Sequence, residues 1–133
     1  MVAFKAIFQY DQVLAEPQQA LNYLFQEDEL TAEKDRVFAS ELTNGAIRHL
    51  GEIDAAIKRF SREWDLNRMS AVDRNIMRLA GYEILFQEVS EPVVAIDEAV
   101  EIAKKYGDEN SPAFINAILD RILGEKHETV SGT

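Results

Sequence analysis

The sequence predicts an all-α protein, and three observations carry that prediction. Apolar residues recur at spacings of three and four along most of the chain, which is the period of a helix that buries one face. Segments in which apolar and polar residues alternate, as they do in half-buried strands, do not occur in the sequence. Proline occurs only three times, at positions that suit the first turn of a helix. We therefore expect helices joined by short connectors.

Two short helices are predicted at the start of the chain. The first spans residues 3–14, and the second begins near Pro17, since proline fits the first helical turn. The acidic residues 27–29 then break the pattern. The apolar faces of these two helices comprise Ala3, Ile7, Tyr10 and Leu14, followed by Leu21, Leu24 and Phe25.

A single long helix is predicted from about residue 31 to about residue 63. Thr31 is a suitable N-cap, and Trp64 closes the apolar stripe, so we expect its side chain to be buried. Gly45 and Gly51 each disfavour a helix by about 1 kcal/mol relative to alanine. We expect close packing at these glycines, and a kink near either one is the alternative. The stripe comprises Ala46, Leu50, Ile53, Ile57, Phe60 and Trp64.

The next helix is predicted to be the central one. Ser70 and Asp73 resemble a capping box, with aspartate in place of the usual glutamate. The segment from Val72 to Phe86 is apolar on most sides, as expected of a helix with neighbours all around it. Three charged residues around this segment are expected to pair with each other or with helix ends: Arg68, Arg78 and Glu83.

Two more helices complete the predicted fold. Pro92 opens the first of them, and Gly107 stands just beyond its end. In the second, Ser111 is the predicted N-cap and Pro112 the first helical residue, while Gly124 is the predicted end. The apolar stripe of this last helix comprises Ile115, Ile118, Leu119, Ile122 and Leu123.

The length of 133 residues indicates one domain. We place it over residues 1–124, with sub-bundles at about 1–66 and 67–124, and we expect residues 125–133 to form a polar, disordered tail. The complete lack of cysteine excludes disulfides and thiolate chemistry. Because the sequence shows neither a signal peptide nor an apolar run of roughly 20 residues, we expect a cytoplasmic protein.

Charge and composition also narrow the function. The net charge is −10, from 14 basic and 24 acidic side chains, so phosphate contacts work against a repulsive background and a basic protein is a natural partner. His49 and His127 lie far apart and lack carboxylates at metal-ligand spacing. A glycine-rich phosphate loop after a strand is absent as well. We therefore expect no enzyme, no metal site and no cofactor.

A binding site is predicted at the start of the last helix. Phe114 falls outside the apolar stripe and lies one turn from backbone N–H groups that favour anions. Asn110 and Ser111 add polar side chains beside it. Such an arrangement can stack one base and hold one phosphate. The alternative is that Phe114 is an ordinary residue at the edge of the core.

Several sequence runs resemble the NusB family of bacterial transcription antitermination factors. The first is W-x-L-x-R-M followed by V-D-R-x-I-M-R-L-A-x-Y-E-I-L, within residues 64–85. The resemblance continues through residues 92–107 and 114–120, and more loosely through residues 3–10. It covers the C-terminal half in the order and spacing of the family.

This resemblance implies an all-helical fold of two small bundles and no enzymatic activity. It implies binding to the boxA element of ribosomal RNA transcripts together with ribosomal protein NusE, in a complex with other Nus factors on RNA polymerase. Phe114 and Asn110 match positions at the RNA site of the family. Asp73 and Arg74, which we expect to be exposed, match the region that contacts the ribosomal protein.

One departure from the family concerns the start of the chain. Family members usually carry an arginine-rich segment before the first helix, whereas Lys5 is the only basic residue among the first 15 here, and Asp11 offsets its charge. Lys5 is therefore the RNA-contact candidate in this region. An alternative function follows: a protein-only adaptor that docks a basic ribosomal protein without contacting RNA.

Overall fold

The structure, a computed structural model, describes residues 2–29, 32–61, 65–87 and 91–131, with side chains through Lys126. These ranges contain helices and no strand, which confirms the predicted all-α class. None of the described helices is both long enough and apolar enough to cross a membrane. The helices are α1 (Val2–Val13), α2 (Pro17–Glu27), α3 (Glu33–Arg48), α4 (Leu50–Phe60), α5 (Ala71–Phe86), α6 (Pro92–Tyr106) and α7 (Ser111–Ser131).

The predicted central position of α5 is confirmed. This helix packs against α1, α3, α4, α6 and α7. The main hydrophobic core draws residues from all of these helices, and a smaller apolar cluster joins α1, α2 and α3. The fold is thus two small bundles packed side by side, as the resemblance implied. The domain limits at residues 1–66 and 67–124 stay a prediction, and α4 packs mainly on helices of the second bundle.

The single long helix predicted over residues 31–63 is wrong. α3 ends at Arg48 and α4 begins at Leu50, with His49 between them at φ −105° and ψ 20°. The break lies between the two glycines where a kink was the alternative. α3 packs on α1, α2 and α5, whereas α4 after the break packs on α5 and α7. The predicted N-cap Thr31 and the predicted burial of Trp64 lie outside the described residues.

The two glycines of this segment differ in their surroundings. A Cβ at Gly45 would overlap the hydroxyl group of Tyr82 on α5, so the expected close packing is confirmed there. A Cβ at Gly51 would have nothing within 4 Å, so the same expectation is wrong at Gly51.

The predicted end of the last helix at Gly124 is also wrong, because α7 continues to Ser131. Gly124 does not have the positive φ of a glycine that ends a helix. Arg59 of α4 donates two hydrogen bonds to the Glu125 carboxylate, at 2.7 and 3.2 Å, and Lys126 donates to the carbonyl oxygen of Ile84. Residues 125–131 therefore continue α7 instead of forming the predicted tail.

Candidate nucleic-acid interface

A cavity of about 350 Å³ lies where the connector before α5 meets the start of α7. It brings together Asn110 and Phe114, predicted as RNA-binding residues, with Asp73, predicted as a protein-partner residue. Both polar and apolar groups form its wall. The lining residues are Arg68, Met69, Ser70, Asp73, Asp108, Asn110 and Phe114.

Phe114 is half-buried, and its ring packs against the main core while it also lines the cavity. Phe114 therefore lies at the edge of the core, as expected of a residue outside the apolar stripe. A ring in this position has neighbours that hold it in place and a side that a planar group can approach. Such a ring is suited to stacking an unpaired base.

The start of α7 differs from the prediction by one residue. The Phe114 N–H donates to the carbonyl oxygen of Asn110 at 3.1 Å, which makes Asn110 the N-cap. Ser111 is buried, and its hydroxyl group accepts a hydrogen bond from the Asp108 N–H at 3.0 Å. Ser111 therefore fixes the loop before α7 and is not the N-cap.

Two backbone amides at this helix start are already engaged within the protein. The Asp108 carboxylate accepts hydrogen bonds from the amides of Asn110, at 2.8 Å, and Ser111, at 3.1 Å. Pro112 has no N–H group to offer. The protein's own carboxylate thus takes the place in which the sequence predicted an anion.

Asp73 is 8% exposed, so the expectation that it is exposed is wrong. Its backbone N–H donates to the Ser70 hydroxyl oxygen at 3.1 Å, which confirms Ser70 as the N-cap of α5. Among the described residues, no hydrogen-bond partner is found for the Oδ1 atom of Asp73. The carboxyl group is therefore an unsatisfied acceptor at the cavity wall.

Arg74 is also largely buried, contrary to the prediction. Its guanidinium group donates to the carbonyl oxygen of Leu66 at 3.0 Å and to Asp11 Oδ2 at 2.6 Å. Because Asp11 lies on α1, this contact ties the start of α5 to α1. Arg74 holds the connector that forms one side of the cavity.

Arg78 extends this cluster to α4. It donates a pair of hydrogen bonds to Asp54, at 2.8 and 2.9 Å, and a further one to Asp11 Oδ1, at 2.8 Å. Burial alone would lower the pKa of Arg78, but the contacts with Asp54 and Asp11 raise it. Burial likewise acts to raise the pKa of Asp11, whereas hydrogen bonds from Arg74 and Arg78 hold it well below its usual range. The expected pairing of Arg78 with Glu83 or with a helix end is therefore wrong, because Arg78 pairs with acids on α1 and α4.

Lys5 does not lie at the Phe114 cavity. It contributes to the wall of a separate, largely apolar cavity of about 270 Å³. Its ammonium nitrogen lies 3.4 Å from Asp28 Oδ1, so Asp28 is the carboxylate that offsets its charge, and Asp11 is not. The residues around this second cavity are Phe4, Lys5, Phe8, Gln9, Val72 and Tyr106.

Two residues of the cavity were not predicted from the sequence as candidate functional residues. Arg68 is exposed and contributes a cation to the wall, and Asp108 satisfies the first amides of α7. Arg68 stands two residues before the Ser70 N-cap, and Asp108 stands three residues before Ser111. Their positions beside helix starts are the signal that could have identified them.

The described residues contain no group of three or more histidine, cysteine, aspartate or glutamate side chains arranged to hold a metal ion. The carboxylates near the cavity instead contact protein donors, as in the Asp108 loop and in the cluster around Asp11.

Comparisons with known proteins agree with this fold. The family model described as "NusB family" matches residues 1–124. The transcription antitermination protein NusB of Syntrophomonas wolfei subsp. wolfei is 59% identical over 125 residues, covering 94% of this chain and 92% of that protein.

Solved structures give the same result. The structure of T. maritima NusB has a TM-score of 0.85 and 44% identity, covering 93% of this chain and 87% of that one. The crystal structure of antitermination factors NusB and NusE in complex with dsRNA has a TM-score of 0.87 and 27% identity, covering 93% and 92% of the two chains. The extent of the family match, together with the sequence identity and the shared arrangement of helices, shows that this chain belongs to the NusB family.

Proposed function

We propose that this chain is an RNA-binding transcription antitermination factor that binds the boxA element of ribosomal RNA transcripts together with ribosomal protein NusE. The observation that carries the proposal is the cavity in which the half-buried Phe114 ring meets the polar Asn110 and the cationic Arg68. In the cell, the complex acts in the cytoplasm with other Nus factors on RNA polymerase and supports ribosomal RNA synthesis.

The residues of the cavity suit a single nucleotide. The Phe114 ring stacks on the base, since aromatic side chains are common stacking partners of unpaired RNA bases. The Asn110 side chain can donate to a base edge and accept from it. Because Asp108 already satisfies the amides of Asn110 and Ser111, the Arg68 guanidinium is the group that meets the phosphate.

The ribosomal protein provides the remaining phosphate contacts. With a net charge of −10, this chain repels a polyanion at long range, so a basic partner is needed to bring RNA to the cavity. We assign Lys5 to a peripheral RNA contact beside the second cavity. We keep the start of α5 as the region that approaches the partner, with Arg74 holding that region in place through Asp11.

Gel-shift titration tests the proposal. The chain and the ribosomal protein are titrated, separately and as a mixture, into boxA RNA and into a scrambled RNA at one stated salt concentration. The mixture is expected to bind boxA more tightly than the scrambled RNA. Equal affinity for the two RNAs would refute the RNA assignment.

Phe114→Ala tests the stacking contact. We expect this variant to weaken boxA binding by about 1–3 kcal/mol, the usual range for one base stacked on an aromatic ring. Phe38→Ala is the matched control, because Phe38 is 53% exposed on α3 and does not line the cavity. If both variants bind boxA as the wild type does, Phe114 serves only the core.

A protein-only adaptor is the second candidate, and the Asp108 carboxylate at the start of α7 favours it, since a negative group lies where a phosphate was expected. Calorimetry with the ribosomal protein alone separates the two functions. Tight binding to that protein, combined with no preference of the pair for boxA, would indicate the adaptor.

A further inference from the structure

We propose that Asp73 makes the Phe114 cavity selective for a base that carries an amino group, namely cytosine, adenine or guanine, over uracil. This inference rests on the proposed RNA-binding function and assigns a base preference to the same site. It rests on two groups that line the same cavity: the Asp73 carboxyl group, which is buried and incompletely hydrogen-bonded, and the aromatic ring of Phe114.

The first step concerns the state of the carboxyl group. Asp73 is 8% exposed, and the part of the chain that the structure describes offers its Oδ1 atom no hydrogen-bond donor. Buried acceptors without a donor are rare in proteins and are costly for folding. Asp108, the other acid of the cavity, differs, because two backbone amides donate to it. Asp73 is thus the acid of the cavity whose hydrogen-bonding capacity the described residues leave unfilled.

The second step concerns which ligand satisfies it. An ionised carboxylate only accepts hydrogen bonds. Cytosine, adenine and guanine each carry an exocyclic amino group that donates, whereas uracil has a carbonyl oxygen where cytosine has its amino group. When a base stacks on Phe114, an amino group directed toward Asp73 gains a charge-assisted hydrogen bond, while a carbonyl oxygen there is repelled.

The third step distinguishes a base from an arginine side chain of the protein partner. A guanidinium group could also stack on Phe114 and pair with Asp73. An arginine side chain would satisfy Asp73 but would leave Arg68 without a counterpart in the cavity. A nucleotide offers a donor for Asp73 on its base and an anion for Arg68 on its phosphate, so it matches both groups. We therefore argue for the nucleotide, and the arginine is an outcome of the test.

The experiment tests whether the effect of removing an RNA amino group depends on the presence of Asp73. A series of boxA RNAs is made in which one exocyclic amino group at a time is removed, with inosine for guanosine, purine riboside for adenosine and pyrimidin-2-one riboside for cytidine. Each RNA is titrated with wild-type chain or Asp73→Ala, in both cases with the ribosomal protein present. Fluorescence anisotropy at fixed salt reports the affinity.

The expected result is one position at which removal of the amino group weakens wild-type binding by about tenfold or more. At the same position, the affinity of Asp73→Ala is expected to change by less than about twofold, since the acceptor is already gone. Asp97→Ala is the matched control, because it removes the same charge from an exposed position on α6. It is expected to show the full wild-type dependence on the amino group.

Three outcomes overturn the inference. In the first, wild type binds boxA specifically but no amino group couples to Asp73. In the second, Asp73→Ala weakens binding of the ribosomal protein without RNA and no coupling is found, which assigns the carboxyl to the protein interface. In the third, wild type fails to prefer boxA over scrambled RNA, and the proposed function fails with it. Asp73→Leu, which has a similar size and no hydrogen-bond acceptor, replaces Asp73→Ala if the latter does not fold.

Discussion

At the scale of single residues, the cluster around Asp11 shows how charged groups are accommodated beside the core. Asp11 on α1 accepts hydrogen bonds from Arg74, Asn75 and Arg78, all on α5. Arg78 in turn pairs with Asp54 on α4. The acids of α1 and α4 thus both pair with one arginine of the central helix.

Arg78→Ala is expected to destabilise the protein by about 3–5 kcal/mol, because in a largely buried place it leaves Asp54 without its arginine and removes one of the two arginines that pair with Asp11. The control is Lys104→Ala, which breaks the ion pair with Glu101. In this pair the Lys104 side chain is 60% exposed and the Glu101 side chain is 71% exposed. Its expected cost is below about 1 kcal/mol. Urea unfolding measures both variants, and equal losses would show that burial does not strengthen the Arg78 contacts.

Glu83 is expected to make stability depend on pH near neutrality. Burial raises its pKa from 4.5 to about 7, and the Glu98 carboxylate adds to the rise. A pKa that is higher in the folded state means that the folded protein binds the proton more tightly. The stability from this group is therefore complete below the unfolded pKa and is lost as the pH rises through about 7.

Glu83→Gln isolates this effect, because glutamine keeps the shape and cannot ionise. We expect the free energy of unfolding of wild type to fall relative to that of Glu83→Gln as the pH rises from about 5 to about 8. Urea unfolding across this range provides the difference at each pH. A difference that does not vary with pH would show that Glu83 titrates normally in the folded protein.

At the scale of elements, helix type, period and several helix starts were predictable, whereas the break at His49 and the end of α7 were not. The apolar stripe continues across His49, so nothing local separates α3 from α4. The break accompanies a contact that is remote in sequence: the His49 ring stacks on Phe86 of α5 with ring centres 4.1 Å apart. The helix end predicted at Gly124 is wrong for the same reason, since Arg59 and Ile84 contact the turn that follows Gly124.

The close approach of α3 to α5 yields a paired prediction. Glycine to alanine in a helix normally stabilises by about 1 kcal/mol. We expect Gly51→Ala to follow this rule, since space around Gly51 is open. We expect Gly45→Ala to destabilise by about 1–3 kcal/mol, because its methyl group would overlap Tyr82. Thermal unfolding of the two variants checks the sign, and stabilisation by Gly45→Ala would contradict the packing described here.

At the scale of the whole molecule, only some of the residues that line the cavity could be predicted from the sequence. Phe114 and Asn110 stand out because a local helix pattern and the family resemblance mark them. Arg68 and Asp73 join them only because α5 and α7 pack together, which brings segments about 40 residues apart to one place. The Asp108 carboxylate accepts hydrogen bonds at the start of α7 because of the geometry of the loop, and the spacing of apolar residues in the sequence does not predict that geometry.

The charge of the whole molecule leads to a prediction about salt. Because the net charge is −10, we expect most phosphate contacts of the proposed complex to belong to the ribosomal protein. Each contact that this chain makes should then add a measurable increment. We expect Arg68→Ala to reduce the slope of log K against log salt concentration by about 0.7, the value for one phosphate contact on a single strand. Lys34→Ala, at an exposed position near the start of α3, is expected to leave the slope unchanged. Equal slopes for wild type and Arg68→Ala would show that Arg68 does not contact a phosphate. The partner would then supply every phosphate contact near the cavity.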